Sequence, residues 1–219
     1  MMYDLIARTA AERHLDILGG FHPSPQDHGL QGIGTLLLLG PKEPGYWRYF
    51  TRDREFRDGE PNPVDRWSAR VVTGLAAAFN AQPLFPFTGP PYQPFFDWAL
   101  RSGRCHRSPI NLLVHDTAGL FVSFRGALAL PQVLDLPAAA PSPCATCAAK
   151  PCLEACPVDA FAGGQYDVPA CTAEIRSRQA HPCAIRGCAA RRACPVSGGH
   201  GRAEAQSAFH MKVFLDNAP

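Results

Sequence analysis

Residues 144–157 read CATCAAKPCLEACP, and residues 171–195 form a second cysteine-rich stretch that also ends in Cys-Pro. Eight of the nine cysteines in this chain of 219 residues fall within these two stretches. They form two groups of four: Cys144, Cys147, Cys152 and Cys156, then Cys171, Cys183, Cys188 and Cys194. Two sets of four thiolates meet the ligand requirement of two [4Fe-4S] clusters.

The order of the cysteines predicts how the ligands are shared between the clusters. In two-cluster ferredoxins, which these Cys-Pro runs resemble, the fourth cysteine of each run ligates the cluster of the other run. This rule assigns one cluster to Cys144, Cys147, Cys152 and Cys194, and the other to Cys156, Cys171, Cys183 and Cys188. The spacing departs from the common pattern, since four residues instead of two separate Cys147 from Cys152. Eleven residues separate Cys171 from Cys183, so the second group matches less closely.

Two other roles for the cysteines stay open. Structural zinc also takes four thiolates, but zinc ribbons normally contain two C-x2-C pairs, and this chain has one, Cys144 to Cys147. Disulfides are less expected, because the chain starts without a secretory leader and its cysteine count is odd. Cys105, outside both groups, has cationic neighbours, and its role is left open.

Composition narrows the class of protein. The formal net charge is +2, and charges of both signs are mixed along the chain, so no footprint of nucleic-acid binding is present. An apolar run of eighteen residues is also absent, and no membrane span is expected. We therefore predict a soluble, cytoplasmic protein that works with a redox partner protein.

Periodicity and turn signals predict an N-terminal region of mixed secondary structure. The clearest helix starts at Pro63, with Asn62 as its cap and Asp65 in its first turn. Other predicted elements are a helix over 4–18, a strand over 33–39, helices over 44–56 and 95–101, a hairpin of 110–115 with 120–130, and a helix over 203–215. Residues 84–94, rich in proline, are predicted as an irregular loop.

This order of elements indicates an α+β fold with a mainly antiparallel sheet. Because only one cysteine precedes Cys144, two domains are expected, residues 1–136 and residues 137–219. The proline- and alanine-rich residues 131–143 provide the linker. The second domain is expected to depend on its metal for stability.

The N-terminal region resembles the cobalamin-processing proteins of the CblC type. The resemblance lies in Asn62 to Asn80 and in His115 to Pro131, where Gly119, Phe121, Phe124, Arg125 and Gly126 stand in register. It implies a nitroreductase-like domain that binds a corrinoid and reduces its cobalt. Epoxyqueuosine reductases and reductive dehalogenases, which are relatives of that family, join such a domain to a C-terminal two-cluster ferredoxin-like domain, and this chain has the same order.

The resemblance implies a cofactor pocket lined by Arg125, with His115 as a second candidate. The pattern D-x-H-x-x-G, which supplies a histidine to cobalt in other cobalamin enzymes, is absent. A flavin is an alternative cofactor, since the nitroreductase-like fold also binds flavins. The leading expectation is a reductase whose two clusters pass electrons to this cofactor. The alternatives are a plain electron carrier whose N-terminal domain docks a protein partner, and a zinc-stabilised interaction module.

Overall fold

The computed structural model describes residues 1–218. The strands are β1 Leu15–Phe21, β2 Thr35–Pro41, β3 Gln82–Leu84, β4 Cys105–Arg107, β5 Leu113–His115 and β6 Gly126–Leu130. The helices are α1 Met2–Ala11, α2 Tyr46–Phe50, α3 Arg54–Arg57, α4 Pro63–Ala78, α5 Phe95–Arg101, α6 Val168–Arg176, α7 Pro182–Arg186, α8 Ala189–Ala193, α9 Pro195–Gly199 and α10 Glu204–Asn217. This combination of helices with a small antiparallel sheet is compatible with the predicted α+β class.

The chain divides into two compact units, each made of two separate stretches. The first unit contains residues 1–105 and 123–140, and the second contains residues 106–122 and 141 onward. This differs from the predicted boundary at residues 136 and 137. Residues 106–122 belong to the cysteine-rich unit, because their apolar side chains pack there.

A four-stranded antiparallel sheet forms the centre of the first unit, in the order β1-β2-β6-β3. Every residue of β2 and β6 is buried, as expected for the two central strands. The short strand β3 contains Pro83 and lies at the edge of the sheet, where a missing backbone donor is tolerated.

Helix α4 presents the predicted apolar face, with Val64, Trp67, Val71 and Leu75 buried. Asn62 stands at the N-cap position, but its backbone is left-handed (φ 53°) and its side chain makes no capping hydrogen bond. Asn62 is therefore the N-cap residue, as predicted, but its side chain does not cap the helix.

An ion-pair network fastens α3 to α4. Arg70 bonds both oxygens of the buried Glu55 carboxylate (2.6 and 2.8 Å) and also reaches Asp53 at 2.8 Å. The indole of Trp67 donates to Asp53 at 2.9 Å. Hydrogen bonds from Arg70, together with one from Arg54, lower the pKa of Glu55 to about 2 against its burial.

Two sequence predictions are wrong in this part of the chain. The predicted helix over 4–18 ends at Ala11, and Leu15–Phe21 forms β1 instead. His14 adopts a positive φ of 56° between them, which stops the helix and turns the chain into the sheet. The predicted helix over 44–56 is two short helices, α2 and α3, with Asp53 capping the second.

The predicted hairpin of 110–115 with 120–130 is also wrong in its pairing. The turn exists, since His115 and Gly119 form an antiparallel bridge. However, β5 pairs with β4, whereas β6 joins β2 and β3 in the larger sheet. The chain passes from one unit to the other between residues 122 and 123, which separates the two predicted strands.

Up to residue 218, the second unit contains the hairpin segment, residues 106–122, and the helices α6 to α10. Among the residues of this unit that the structure describes, cysteines form part of two small apolar clusters. Helix α10, predicted over 203–215, spans Glu204–Asn217 and packs against α7. Across residues 1–218, no helix is long and apolar enough to cross a membrane.

Candidate functional site

Two cavities in the second unit are each lined by four of the eight clustered cysteines. The first cavity has a volume of about 250 Å³ and the second one of about 20 Å³. Around the first stand Cys144, Cys147, Cys152 and Cys194. Around the second stand Cys156, Cys171, Cys183 and Cys188. The structure therefore brings together the same two sets that the crossover rule assigns.

The first cavity, called here site 1, has mainly apolar walls. Cys152 and Cys194 are buried beside Ile110, Val114 and Leu120 of the hairpin segment. Burial raises the pKa of the Cys152 thiol, and the neighbouring Cys144 and Cys194 thiols raise it further. These thiols are therefore close enough to influence each other's charge.

The hairpin segment is held at site 1 by contacts with α9. The backbone N–H of Leu120 donates to the hydroxyl of Ser197 at 2.9 Å. Gly119 has a positive φ of 57°, and a Cβ there would lie 2.5 Å from the backbone nitrogen of Ser197. Only glycine allows this close approach, which brings Leu120 against the cysteines.

The second cavity, called here site 2, is built from the starts of short helices. Cys171 lies on α6, which Asp167 caps by accepting from the N–H of Ala170 at 2.8 Å. Cys183 lies in the first turn of α7, and Cys188 is the N-cap residue of α8. Three of the four thiols of site 2 thus lie near the start of a helix, whereas Cys156 lies outside the helices. All four line one cavity.

Helix α8 connects the two sites. It begins after Cys188 of site 2 and ends at Cys194 of site 1. Cys194 also precedes α9, with Pro195 at its first position, where a missing N–H is tolerated. The second Cys-Pro pair, Cys194-Pro195, therefore marks the start of α9. At 1.5 Å per residue, the five residues of α8 cover roughly 7.5 Å along the helix axis.

Hydrogen-bond donors reach the sulfur atoms of site 2. The hydroxyl of Tyr166 donates to Sγ of Cys171 at 3.1 Å, and the N–H of Ala160 donates to Sγ of Cys156 at 3.4 Å. Burial raises the pKa of Cys171, while the Tyr166 hydrogen bond lowers it. Donors of this kind stabilise negative charge on sulfur.

A buried histidine also lies on the wall of site 2. Nδ1 of His181 accepts from the N–H of Cys183 at 3.1 Å, and its Nε2 lies 3.1 Å from Oε1 of Glu174. Because Nδ1 accepts, Nε2 is the nitrogen that carries the proton toward Glu174. His181 thus holds the first turn of α7, and with it Cys183, in place.

Sequence reasoning missed three residues at these sites: Tyr166, His181 and, at site 1, Ser108. Tyr166 precedes Cys171 by five residues and His181 precedes Cys183 by two. Their closeness to the cysteines in sequence was an available signal. Ser108 had no such signal, since it lies 36 residues before Cys144 and reaches site 1 only through the fold.

Arg125 and His115, the two candidate pocket residues, fall in different units. Arg125 is 15% exposed, lies 3.9 Å from Asp65, and has a buried Nε without a hydrogen-bond partner in residues 1–218. His115 is fully buried, and its Nδ1 accepts from the N–H groups of Thr117 and Ala118. His115 therefore has a structural role in the turn before Gly119.

Cys105 lies in β4 and is buried.

Among residues 1–218, no three His, Cys, Asp or Glu side chains are grouped so that they could hold a metal ion. The eight clustered cysteines line the two cavities of sites 1 and 2 and do not surround a single point.

Comparison with protein-family models, curated proteins and solved structures finds no match for this chain. The resemblance to CblC-type proteins thus stays a prediction.

Proposed function

We propose that the second unit holds two [4Fe-4S] clusters and transfers electrons one at a time. The observation that carries this proposal is the grouping of the eight cysteines. Each site takes three thiols from one sequence group and one from the other, and each set of four lines its own cavity. Crossed ligation of this kind is a property of two-cluster ferredoxin domains.

The volume of site 1 fits a group of several atoms. Its cavity of about 250 Å³ is many times larger than the roughly 10–15 Å³ that a single water needs by the same measure. The cavity at site 2, about 20 Å³, has room for about one water. A cluster at site 2 therefore requires its four side chains to move outward, and site 1 is the better preformed of the two.

When bound, each cluster accepts and releases a single electron. The cysteines of the second unit would bind it through their thiolates, the apolar hairpin segment would exclude water from site 1, and the donors Tyr166 and Ala160 would stabilise negative charge on sulfur at site 2. The short helix α8 keeps the two sites close together, which would favour the passage of an electron between groups bound there.

We further propose that the electrons go to a corrinoid, or alternatively a flavin, held by the first unit. This step rests on the resemblance of residues 62–80 and 115–131 to the CblC type. One observation supports it: the Arg125 guanidinium is mostly buried, and its Nε lacks a partner in residues 1–218. Asp65 lies 3.9 Å from Nη1 of Arg125, which is too far for a hydrogen bond. Burial raises the pKa of Asp65, while the charge of Arg125 lowers it. An anionic group of a cofactor would supply the missing acceptor.

Metal analysis of protein purified without oxygen tests the first proposal. We expect about eight irons and eight sulfides per chain, with broad visible absorption that fades on reduction. A colourless protein with two zinc ions per chain would refute the clusters and establish the zinc-stabilised interaction module instead.

Titration of the purified chain with cobalamin, and separately with FMN, tests the second proposal. Arg125→Ala should weaken binding about tenfold, because a charge-assisted hydrogen bond is lost. Arg57→Ala, which changes an exposed arginine of the same unit, is the matched control. If neither cofactor binds the iron-loaded protein, the plain electron carrier is the correct function.

A further inference from the structure

One buried hydroxyl on the wall of site 1 lacks a hydrogen-bond partner. Ser108 is 5% exposed and lines the same cavity as the four cysteines. Its backbone N–H donates to the carbonyl of Leu112 at 2.9 Å, so its main chain is satisfied. Its Oγ is buried and has no partner within residues 1–218. A buried hydroxyl without a partner is unfavourable, so Ser108 needs an acceptor that those residues do not supply.

The other hydroxyl on this wall is already engaged. Thr146 donates to the carbonyl of Pro143 at 3.5 Å. Ser108, by contrast, stands on a segment that is firmly held, because Ile110, Val114 and Leu120 pack against the cysteines. Its hydroxyl is therefore available and kept beside the space that the four thiols enclose.

We propose that Ser108 donates a hydrogen bond to a sulfur atom of the group bound at site 1 and thereby raises its reduction potential. This inference rests on the proposed function. Reduction adds negative charge that spreads over the sulfur atoms, and a hydroxyl donor stabilises the reduced form more than the oxidised form. Ser108 is thus a positioning and tuning residue that comes from outside both cysteine groups.

The test is a redox titration of the iron-loaded protein, followed by electron paramagnetic resonance. Ser108→Ala should make reduction at site 1 about tenfold less favourable, which corresponds to about 59 mV for one electron. The reduction potential of the group at site 2 should stay unchanged. Ser108→Thr, which keeps the hydroxyl, should restore the wild-type midpoint.

Two comparison variants show which of the two measured reduction potentials belongs to which site. Tyr166→Phe removes the donor to Cys171 and should move only the couple of site 2. Ser123→Ala removes another hydroxyl whose Oγ is buried and unpartnered in residues 1–218, but it lies in the first unit. It should leave both midpoints unchanged.

The outcomes separate this inference from the proposed function. A Ser108→Ala protein with both clusters and wild-type midpoints overturns the inference and leaves the proposed function intact. If Ser108→Ala does not bind a cluster at site 1, the Ser108→Thr protein decides. A Ser108→Thr protein that binds the cluster with the wild-type midpoint supports the hydrogen bond from the hydroxyl. A Ser108→Thr protein that also fails to bind the cluster overturns the inference. A wild-type protein without clusters overturns both proposals.

Discussion

The phenol of Tyr166 donates a hydrogen bond to Sγ of Cys171 across 3.1 Å. Its ring stacks on Phe161 at 4.8 Å and on Phe214 at 6.1 Å, which holds the hydroxyl in place. Tyr166 is 36% exposed, so it reaches from the surface of the second unit to the sulfur of a candidate ligand. The sulfur of Cys171 therefore accepts a hydrogen bond from a side chain that also touches solvent.

We expect Tyr166→Phe to lower the reduction potential of the cluster at site 2, by roughly a few tens of millivolts. The stacked ring is kept, and only the donor to sulfur is lost. A redox titration that follows both clusters measures the change. Tyr92→Phe removes the hydroxyl of a residue in the first unit that is 64% exposed, and it should change neither midpoint. Equal midpoints in wild type and Tyr166→Phe would contradict the tuning role.

Pairs of cysteine substitutions test how the ligands are shared. We expect Cys144→Ala with Cys194→Ala to remove one cluster, because both thiols line site 1. Cys144→Ala with Cys156→Ala should impair both clusters, although these two residues belong to one sequence group. Iron content per chain distinguishes the cases, with about half of the iron lost in the first pair and most of it in the second.

The opposite ranking of the two pairs would show that each sequence group binds its own cluster. The crossed arrangement would then be wrong, even if the total iron content of the wild-type protein agrees with two clusters.

Leu120→Ala is expected to destabilise the second unit by about 2–5 kcal/mol, since it opens a cavity in a packed cluster. The same change removes part of the wall that shields Cys152 and Cys194. Iron should therefore be lost faster to a chelator from one of the two clusters, well below the unfolding temperature. Leu75→Ala makes the same truncation in the core of the first unit and should release iron at the wild-type rate.

Acid is expected to weaken the first unit through Glu55. Its pKa is lowered to about 2 in the folded state from an ordinary value of 4.5, so its contribution to stability is present above pH 4.5. That contribution is lost as the pH falls from 4.5 toward 2. Glu55→Gln should cost about 2 kcal/mol at pH 7 and flatten this acid dependence, as measured by urea unfolding. A pH profile parallel to that of wild type would contradict the assignment.

The sequence predicted local features with a strong physical signal. Helix α4 was recognisable because Pro63 marks its start and Val64, Trp67, Val71 and Leu75 recur at helical spacing. The grouping of the eight thiols followed from their order along the chain. These features depend on residues that are near each other in sequence or on a known rule of ligation.

Features that depend on distant pairing were not predictable in the same way. Leu15 to Leu18 have the composition of either a helix or a strand, and only pairing with β2 decides for the strand. Similarly, the apolar run from residue 110 to 115 has the pattern of a strand, but nothing local shows that its partner is β4. The unpartnered hydroxyl of Ser108 could be related to site 1 only once the fold had placed Ser108 on the wall of the same cavity as Cys144 and Cys152.

The interleaved division of the chain has a consequence for its synthesis. The first unit needs residues 123–140, so it is complete only after the hairpin segment has left the ribosome. At that moment Ile110, Val114 and Leu120 are outside the ribosome, but the cysteines that cover them have not yet emerged. Because domains generally fold as units in the order of synthesis, this apolar segment waits in contact with solvent or a chaperone. The cysteine-rich unit is therefore expected to assemble after the first unit, and the wall of site 1 leaves the ribosome before its cysteines do.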